Sequence, residues 1–243
     1  MTVKIIRLEL TLSTPEENLA CDEALLEQAE EQGGPALLRF WEPAQPFVVL
    51  GYANRVQQEV DLDVCRERKV PVLRRCSGGG TVLQAPGCLN YSLLLPVSES
   101  GSLATIPSTN VFVMERHARV LTGLLGEAVT VEGITDLAVG LRKCSGNAQR
   151  RRQGWLLFHG TFLFGFDPAL VMALLRSPPR QPSYRRRREH TEFMMSLPLP
   201  AGQVKEALAA AWDAGGTSHD YPRDRVSRLV QEKYATETWN LKW

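Results

Sequence analysis

Three consecutive glycines, Gly78, Gly79 and Gly80, separate two short apolar stretches, and no other feature constrains the folding of this chain as tightly. A triple glycine weakens a helix or a strand, so it reads as a connection. It lets the backbone turn sharply and approach a ligand closely. Several N–H groups aimed together make a cradle for an anion. Arg74 and Arg75 stand just before the loop and add bidentate, charge-assisted donors suited to phosphate or carboxylate. The loop lacks the GK[ST] ending of a P-loop and the strand–GxGxxG–helix setting of a dinucleotide fold. Taken alone, a glycine-rich hairpin turn is an equally good reading.

The flanking pattern predicts alternating short strands and helices. Thr14-Pro15-Glu16-Glu17 reads as an N-cap, a proline at the first helical position and a capping-box glutamate, giving a helix to about residue 31 that Gly33-Gly34 stops. Apolar runs predict strands over 36–41, 47–50, 70–74, 89–95, 129–131, 137–141, 155–158 and 161–164, with turns between them. Helical spacing predicts a long amphipathic helix over 110–125 and shorter helices over 60–68, 167–175, 202–212 and 223–234. Residues 177–188 are rich in proline and arginine and read as irregular. With no repeat or long linker, the expectation is one α+β domain whose strands lie between residues 36 and 166.

Composition narrows the function classes. Hydrophobic residues make up 44% of the chain and charged residues 23%, enough apolar material for a core. The charge balance of 28 − 27 = +1 argues against a dedicated nucleic-acid binder. No run reaches the roughly 18 apolar residues that span a bilayer. Lys4, Arg7 and Glu9 interrupt any signal-peptide core, so a cytoplasmic protein with no membrane partner is expected. Five cysteines (Cys21, Cys65, Cys76, Cys88, Cys144) are odd in number and contain no CxxC pair, which disfavours a disulfide framework or a zinc ribbon.

Two further segments carry polar chemistry. Asp136-Leu137 precedes Arg142-Lys143-Cys144-Ser145-Gly146-Asn147-Ala148-Gln149, where a lysine beside a small-residue turn can reach a pocket as a point charge. His159-Gly160-Thr161 falls between two apolar runs, and a lone histidine there is more often structural than catalytic. Taken together, the order RRxSGGGTV…LNYSL…DL…KxSGNAQ…HGT resembles the lipoate–protein ligase family, within the wider biotin and lipoate ligase fold. Asn18-Leu19-Ala20 and residues 48–54 fit as well, so the resemblance covers roughly residues 15–195.

The resemblance implies a catalytic domain over 1–196 with a central mixed β-sheet flanked by helices, and a short helical extension of the same domain over 197–243. It implies that ATP and lipoate, or octanoate, give an acyl-AMP with Mg2+ assisting. A lysine of a lipoyl domain then takes the acyl group, the carrier being a 2-oxoacid dehydrogenase or a glycine-cleavage H-type protein. Fixed cations and backbone donors suit that chemistry, because activation brings two anionic groups together. By similarity, Lys143 contacts the carboxylate and phosphate oxygens. Arg75 and the backbone of Gly80, Thr81, Val82 and Leu83 form the nucleotide-contacting loop, which Arg74, Ser77, Gly78 and Gly79 shape. Ser145 and Asn147 line the pocket near the adenylate, and Asp136 is a magnesium or target-lysine contact. Tyr52, Tyr91 and Trp41 are candidates for an apolar channel, with core packing the commoner role of such aromatics.

Related acyltransferases instead pass an octanoyl group through a cysteine thioester. One branch carries that cysteine three residues before the HG pair, where this chain has Leu156. Another carries it well upstream of the KxSG lysine, and here no cysteine lies between Cys88 and Cys144. Cys76 and Cys144 do neighbour Arg75 and Lys143, which keeps a transferase as the alternative. A non-catalytic carrier-binding protein and a biotin ligase fit less well. Many lipoate ligases carry a large accessory domain; the 45 or so residues after Ser196 imply that such a domain is a separate subunit or is dispensed with. The basic stretch Arg150–Arg152, Arg176, Arg180 and Arg185–Arg188 suggests a surface for an acidic carrier.

Overall fold

The computed structural model describes residues 4–165, 167–177 and 181–243. Strand β1 (Ile5–Glu9) runs parallel to β2 (Ala36–Trp41), with helix α1 (Pro15–Gln32) between them. The start of α1 is where the sequence places it. Glu17 N–H donates to the Thr14 hydroxyl and Thr14 N–H donates to the Glu17 carboxylate, while Gly33 at φ 70° ends the helix.

The chain then builds a small sheet from β3 (Phe47–Leu50), β4 (Val72–Arg74) and β5 (Val82–Gln84), with short helices α2 (Val56–Glu59) and α3 (Leu62–Glu67) inserted. β3 is central, parallel to β4 and antiparallel to β5. The glycine loop therefore crosses over β3 and is not a hairpin.

The main sheet continues with β6 (Cys88–Pro96), then helix α4 (Ile106–Leu125), then β7 (Val129–Glu132), β8 (Asp136–Val139), β9 (Arg142–Arg151) and β10 (Trp155–Leu163). Beyond them come α5 (Pro168–Leu174), a 3-10 turn over Ser183–Arg185, α6 (His190–Phe193), α7 (Ala201–Ala211), β11 (Ala214–Ser218), α8 (Arg223–Leu229), a π-turn over Val230–Tyr234 and α9 (Glu237–Asn240). The spatial order of the eight strands is β11-β1-β2-β6-β10-β9-β8-β7. The fold is thus α+β, with a large mixed sheet flanked by helices.

One face of the main sheet buries Leu89, Tyr91, Leu93, Phe158 and Phe162 against α4 and α7 (Val113, Met114, Leu121, Val204, Leu208). The other face sets Leu94 and Leu157 against α1, the small sheet and α8 (Leu19, Leu26, Val49, Leu73, Val226). Among the described residues no helix is long and apolar enough to cross a membrane.

Three expectations change. Strands occur outside 36–166, because β1 and β11 pair with each other at the sheet edge; β11 reads Ala-Gly-Gly-Thr-Ser and gives no apolar alternation to detect. His159-Gly160 is no turn. It lies inside β10, paired to Ser92 and Tyr91 on one side and to Ala148 and Asn147 on the other. The segment around Lys143 is likewise a ten-residue strand.

Candidate active site

The glycine loop is shaped from beneath by Arg75. This side chain is buried, and its Nη2 donates to the carbonyls of Gly78 at 2.6 Å and Gly80 at 2.8 Å. A trans peptide points its C=O and N–H in opposite directions. Drawing those two carbonyls inward turns the N–H groups of Gly79 and Thr81 outward. Gly79 must be glycine, because its φ is +91° and a Cβ there would stand 2.8 Å from the Arg75 guanidinium. Gly78 and Gly80 face open space. Burial lowers the Arg75 pKa to about 10, which leaves it charged at neutral pH. Arg75 therefore orients the loop. It lies directly beneath the loop that the resemblance implies as nucleotide-contacting.

Arg74 points away from the loop's open side. Its guanidinium donates to the carbonyls of Gly51, Asn54 and Lys242 at 2.8, 2.8 and 2.6 Å and ties the chain's last residues to the small sheet. Thr81 Oγ1 donates to Glu59 at 2.5 Å. Val82 and Leu83 lie in β5 paired to Val49 and Val48, and serve as walls.

Ser77 joins the loop to the main sheet. Its hydroxyl lies 2.6 Å from His159 Nε2. Behind the imidazole, Nδ1 stands 3.7 Å from Asp22, a buried carboxylate that also pairs with the buried Arg39 at 2.6 Å and accepts from Ser92 at 2.8 Å. Burial alone would raise the Asp22 pKa; Arg39 and His159 outweigh it and hold the carboxyl below its ordinary value. Histidine at 159 therefore belongs to the loop's support. Asp22 was invisible in sequence because it sits on the buried face of an ordinary amphipathic helix.

Lys143 reaches the same sheet face through a β-bulge. Leu137 pairs with Ser145 while Ala138 pairs with Lys143, so Cys144 is the extra residue. Strict alternation would put Lys143 on the core face with Ser145 and Asn147. The bulge moves it to the face of Gly146 and Ala148. There the lysine folds back over Gly146, where a Cβ would come 3.0 Å from its Nζ, and Nζ pairs with Asp136 Oδ1 at 2.7 Å. The second Asp136 oxygen accepts from the Tyr184 hydroxyl at 2.7 Å. Ala148 lies beneath the glycine loop, 3.6 Å from a Cβ placed on Gly79. The loop and Lys143 thus share one face of β9.

Several expected members lie elsewhere. Ser145 is fully buried on the opposite face, and Asn147 there donates to Thr135 O and accepts from Tyr91. Trp41 and Tyr91 are core residues on opposite faces of the sheet, and Tyr52 packs on Trp239 at 5.8 Å. Asp136 does not fit a resident magnesium site. Both its oxygens are engaged, and among the described residues no group of three or more His, Cys, Asp or Glu side chains is placed to hold a metal. In the basic stretch, Arg185 is buried and Arg151 and Arg188 are bonded to backbone carbonyls; Arg186 and Arg187 are exposed, and Arg180 lies outside the described residues. All five cysteines are buried. Burial pushes the Cys76 and Cys144 thiols up to about 12, and Cys144 Sγ faces Leu137 O in the core.

Comparison with known proteins bears on this geometry. A family profile described as the lipoyl protein ligase A/B catalytic domain matches residues 14–212. An octanoyltransferase LipM from Carboxydothermus hydrogenoformans is 29% identical and aligns with 93% of this chain and 94% of its own length. A lipoate-protein ligase A subunit 1 from Thermoplasma acidophilum is 28% identical over 96% of this chain and 95% of its own length. A crystal structure of lipoate-protein ligase A bound with ATP superposes with a TM-score of 0.79 at 26% identity, covering 99% of both chains.

Proposed function

Because the chain belongs to the lipoyl protein ligase A/B catalytic-domain family, we propose that it works as an ATP-dependent lipoate–protein ligase. In this reading it activates lipoate or octanoate as an acyl adenylate and passes the acyl group to a lysine of a lipoyl domain. The observation that carries it is the pairing of the outward-turned glycine loop with Lys143 on one sheet face, while every thiol is buried. The loop's N–H groups receive phosphate oxygens. Lys143 leaves Asp136 to meet the carboxylate and α-phosphate oxygens, where it offsets charge as pyrophosphate departs.

A second reading has its own support. The octanoyltransferase relative is similar along nearly the whole chain, and a transferase would draw its acyl group from a carrier without ATP. Such a reaction through a thioester needs a thiolate, and burial holds Cys76 and Cys144 up at about 12. That cost favours the ligase.

We further propose that residues 1–196 and 197–243 act as one unit in the cytoplasm. The carrier is a lipoyl domain of a 2-oxoacid dehydrogenase or an H-type protein. The Thermoplasma relative is named as a subunit 1, which supports a second polypeptide as an accessory. The deciding experiment is lipoate-dependent release of pyrophosphate from ATP, without carrier, by the chain alone and with a candidate accessory subunit. Release supports adenylation. Its absence in both cases, together with an octanoyl adduct on a cysteine by intact mass, supports the transferase.

A further inference from the structure

We propose that Tyr184 is a positioning residue that governs how firmly Asp136 holds Lys143, and so how readily the ammonium is handed to substrate. The inference rests on the role given to Lys143 above.

The hydroxyl of Tyr184 donates to Asp136 Oδ2 at 2.7 Å from 48 residues away in sequence, while Asp136 Oδ1 holds Lys143 at 2.7 Å. Tyr184 is held in place by its neighbours. Its ring packs on Phe193 at 5.1 Å, and the Arg185 and Arg188 guanidinium groups cover Phe193 at 4.9 and 5.4 Å. Ala138, which pairs with Lys143 across the bulge, lies in the same small cluster. The same segment also grips the main chain around the lysine. Met195 N–H donates to Lys143 O at 2.9 Å, and Arg188 donates to Leu141 O at 2.9 Å. One segment therefore fixes both the backbone of Lys143 and the partner of its partner.

Burial and the neighbouring Asp136 carboxylate push the Tyr184 hydroxyl far above its ordinary range, so it remains a proton donor at every working pH. A neutral donor on one oxygen disperses the carboxylate charge and keeps that oxygen from the ammonium. The lysine is then held by one oxygen and can leave. Without the hydroxyl, both oxygens are open to Lys143, and the clamp tightens.

The test is Tyr184→Phe in the full chain, which removes the hydroxyl and keeps the ring. The first readout needs no turnover: the rate at which acetic anhydride acetylates Lys143 at pH 8, followed by peptide mass spectrometry. It should fall on the order of threefold in the variant, because a side chain gripped by both carboxylate oxygens swings out to meet the anhydride less often. The second is lipoate-dependent pyrophosphate exchange, where kcat should fall by about tenfold with KM for ATP within about twofold, since the contact is realised in the activated state. Thermal melting checks that the variant is folded, and Tyr184→Leu serves as a second donor-free variant should Phe fail to fold. Unchanged acetylation overturns the proposal whatever the exchange rate does. Slowed acetylation with unchanged kcat overturns it as well. Slowed acetylation in the variant, with no exchange from the wild-type protein, leaves Tyr184 in control of the Asp136–Lys143 pair and removes the ligase reading instead.

Discussion

The Ser77 hydroxyl and His159 Nε2 meet at 2.6 Å across 82 residues of sequence, and this contact docks the glycine loop onto the main sheet. Ser77 Oγ also accepts from Arg75 Nε at 3.1 Å, so one hydroxyl ties the loop's arginine to the sheet's histidine. His159→Ala strands the Ser77 hydroxyl and frees the loop. A net hydrogen bond is worth about 1 kcal/mol, so KM for ATP should rise roughly fivefold. The melting temperature should change little. A variant that melts early yet binds ATP normally would make His159 a purely structural residue.

Lys143→Ala removes the one lysine that the bulge at Cys144 turns toward the loop. Loss of a group that meets developing charge costs about 100-fold or more in rate. Adenylate formation, read as pyrophosphate release, should drop by that amount while the melting curve stays close to wild type. Near-normal release from the folded variant would take Lys143 out of the reaction.

How much of this was legible beforehand depends on which physical signal each residue leaves. The start of α1 was legible because the Thr14–Glu17 capping box is a local hydrogen-bond pattern. The glycine loop was legible because a positive φ at Gly79 demands glycine. The face on which Lys143 lies was not, since a one-residue bulge inverts every side chain before it and has no composition of its own. The same bulge leaves Ser145 and Asn147, expected to line the pocket near the adenylate, on the sheet face opposite Lys143. Asp22, Tyr184 and β11 enter through long-range pairing alone, which no local pattern records.

Gly160 explains why the histidine is followed by glycine inside a strand. A Cβ there would lie 1.7 Å from Asn147 Oδ1 and 2.8 Å from the Tyr91 ring. The two strands on either side of β10 bring those atoms together, so relief requires breaking the Tyr91–Asn147 bond at 2.7 Å. Gly160→Ala should cost about 2–4 kcal/mol by overpacking and a lost buried hydrogen bond. Denaturant unfolding measures this directly. A loss below about 1 kcal/mol would mean the strands part more easily than this packing implies.

The double replacement Cys76→Ala, Cys144→Ala separates the two reaction routes. Both thiols pack in apolar clusters, so the variant should lose about 1–2 kcal/mol of stability from two small cavities. Lipoate-dependent pyrophosphate release should stay within about threefold of wild type, because neither sulfur faces the glycine loop. Complete loss of acyl transfer in the folded variant would establish the thioester route.

The core carries a titrating group whose sign can be worked out. His117 on α4 is fully buried, its Nε2 accepting from Trp212 Nε1 of α7 at 2.8 Å. Burial, helped by Arg116, lowers its pKa to about 3. The unfolded chain titrates this group near 6.5, so between those values the unfolded state holds a proton that the folded state refuses (about 6.5 being the free value). Unfolding then takes up a proton, and stability falls as pH drops below about 6.5, approaching roughly 1 kcal/mol per pH unit well inside the window. Asp22 acts in the same direction only lower down, where a carboxyl held below its ordinary value begins to protonate. His190 is also lowered by burial and adds to the same slope, so the comparison must remove His117 alone. His117→Gln keeps an acceptor for Trp212 and abolishes the titration. Its melting temperature should decline less than that of wild type from pH 6.5 to 4.5. Parallel decline of the two proteins would show that the imidazole is not held neutral between α4 and α7, and the burial argument for this end of the core would fall.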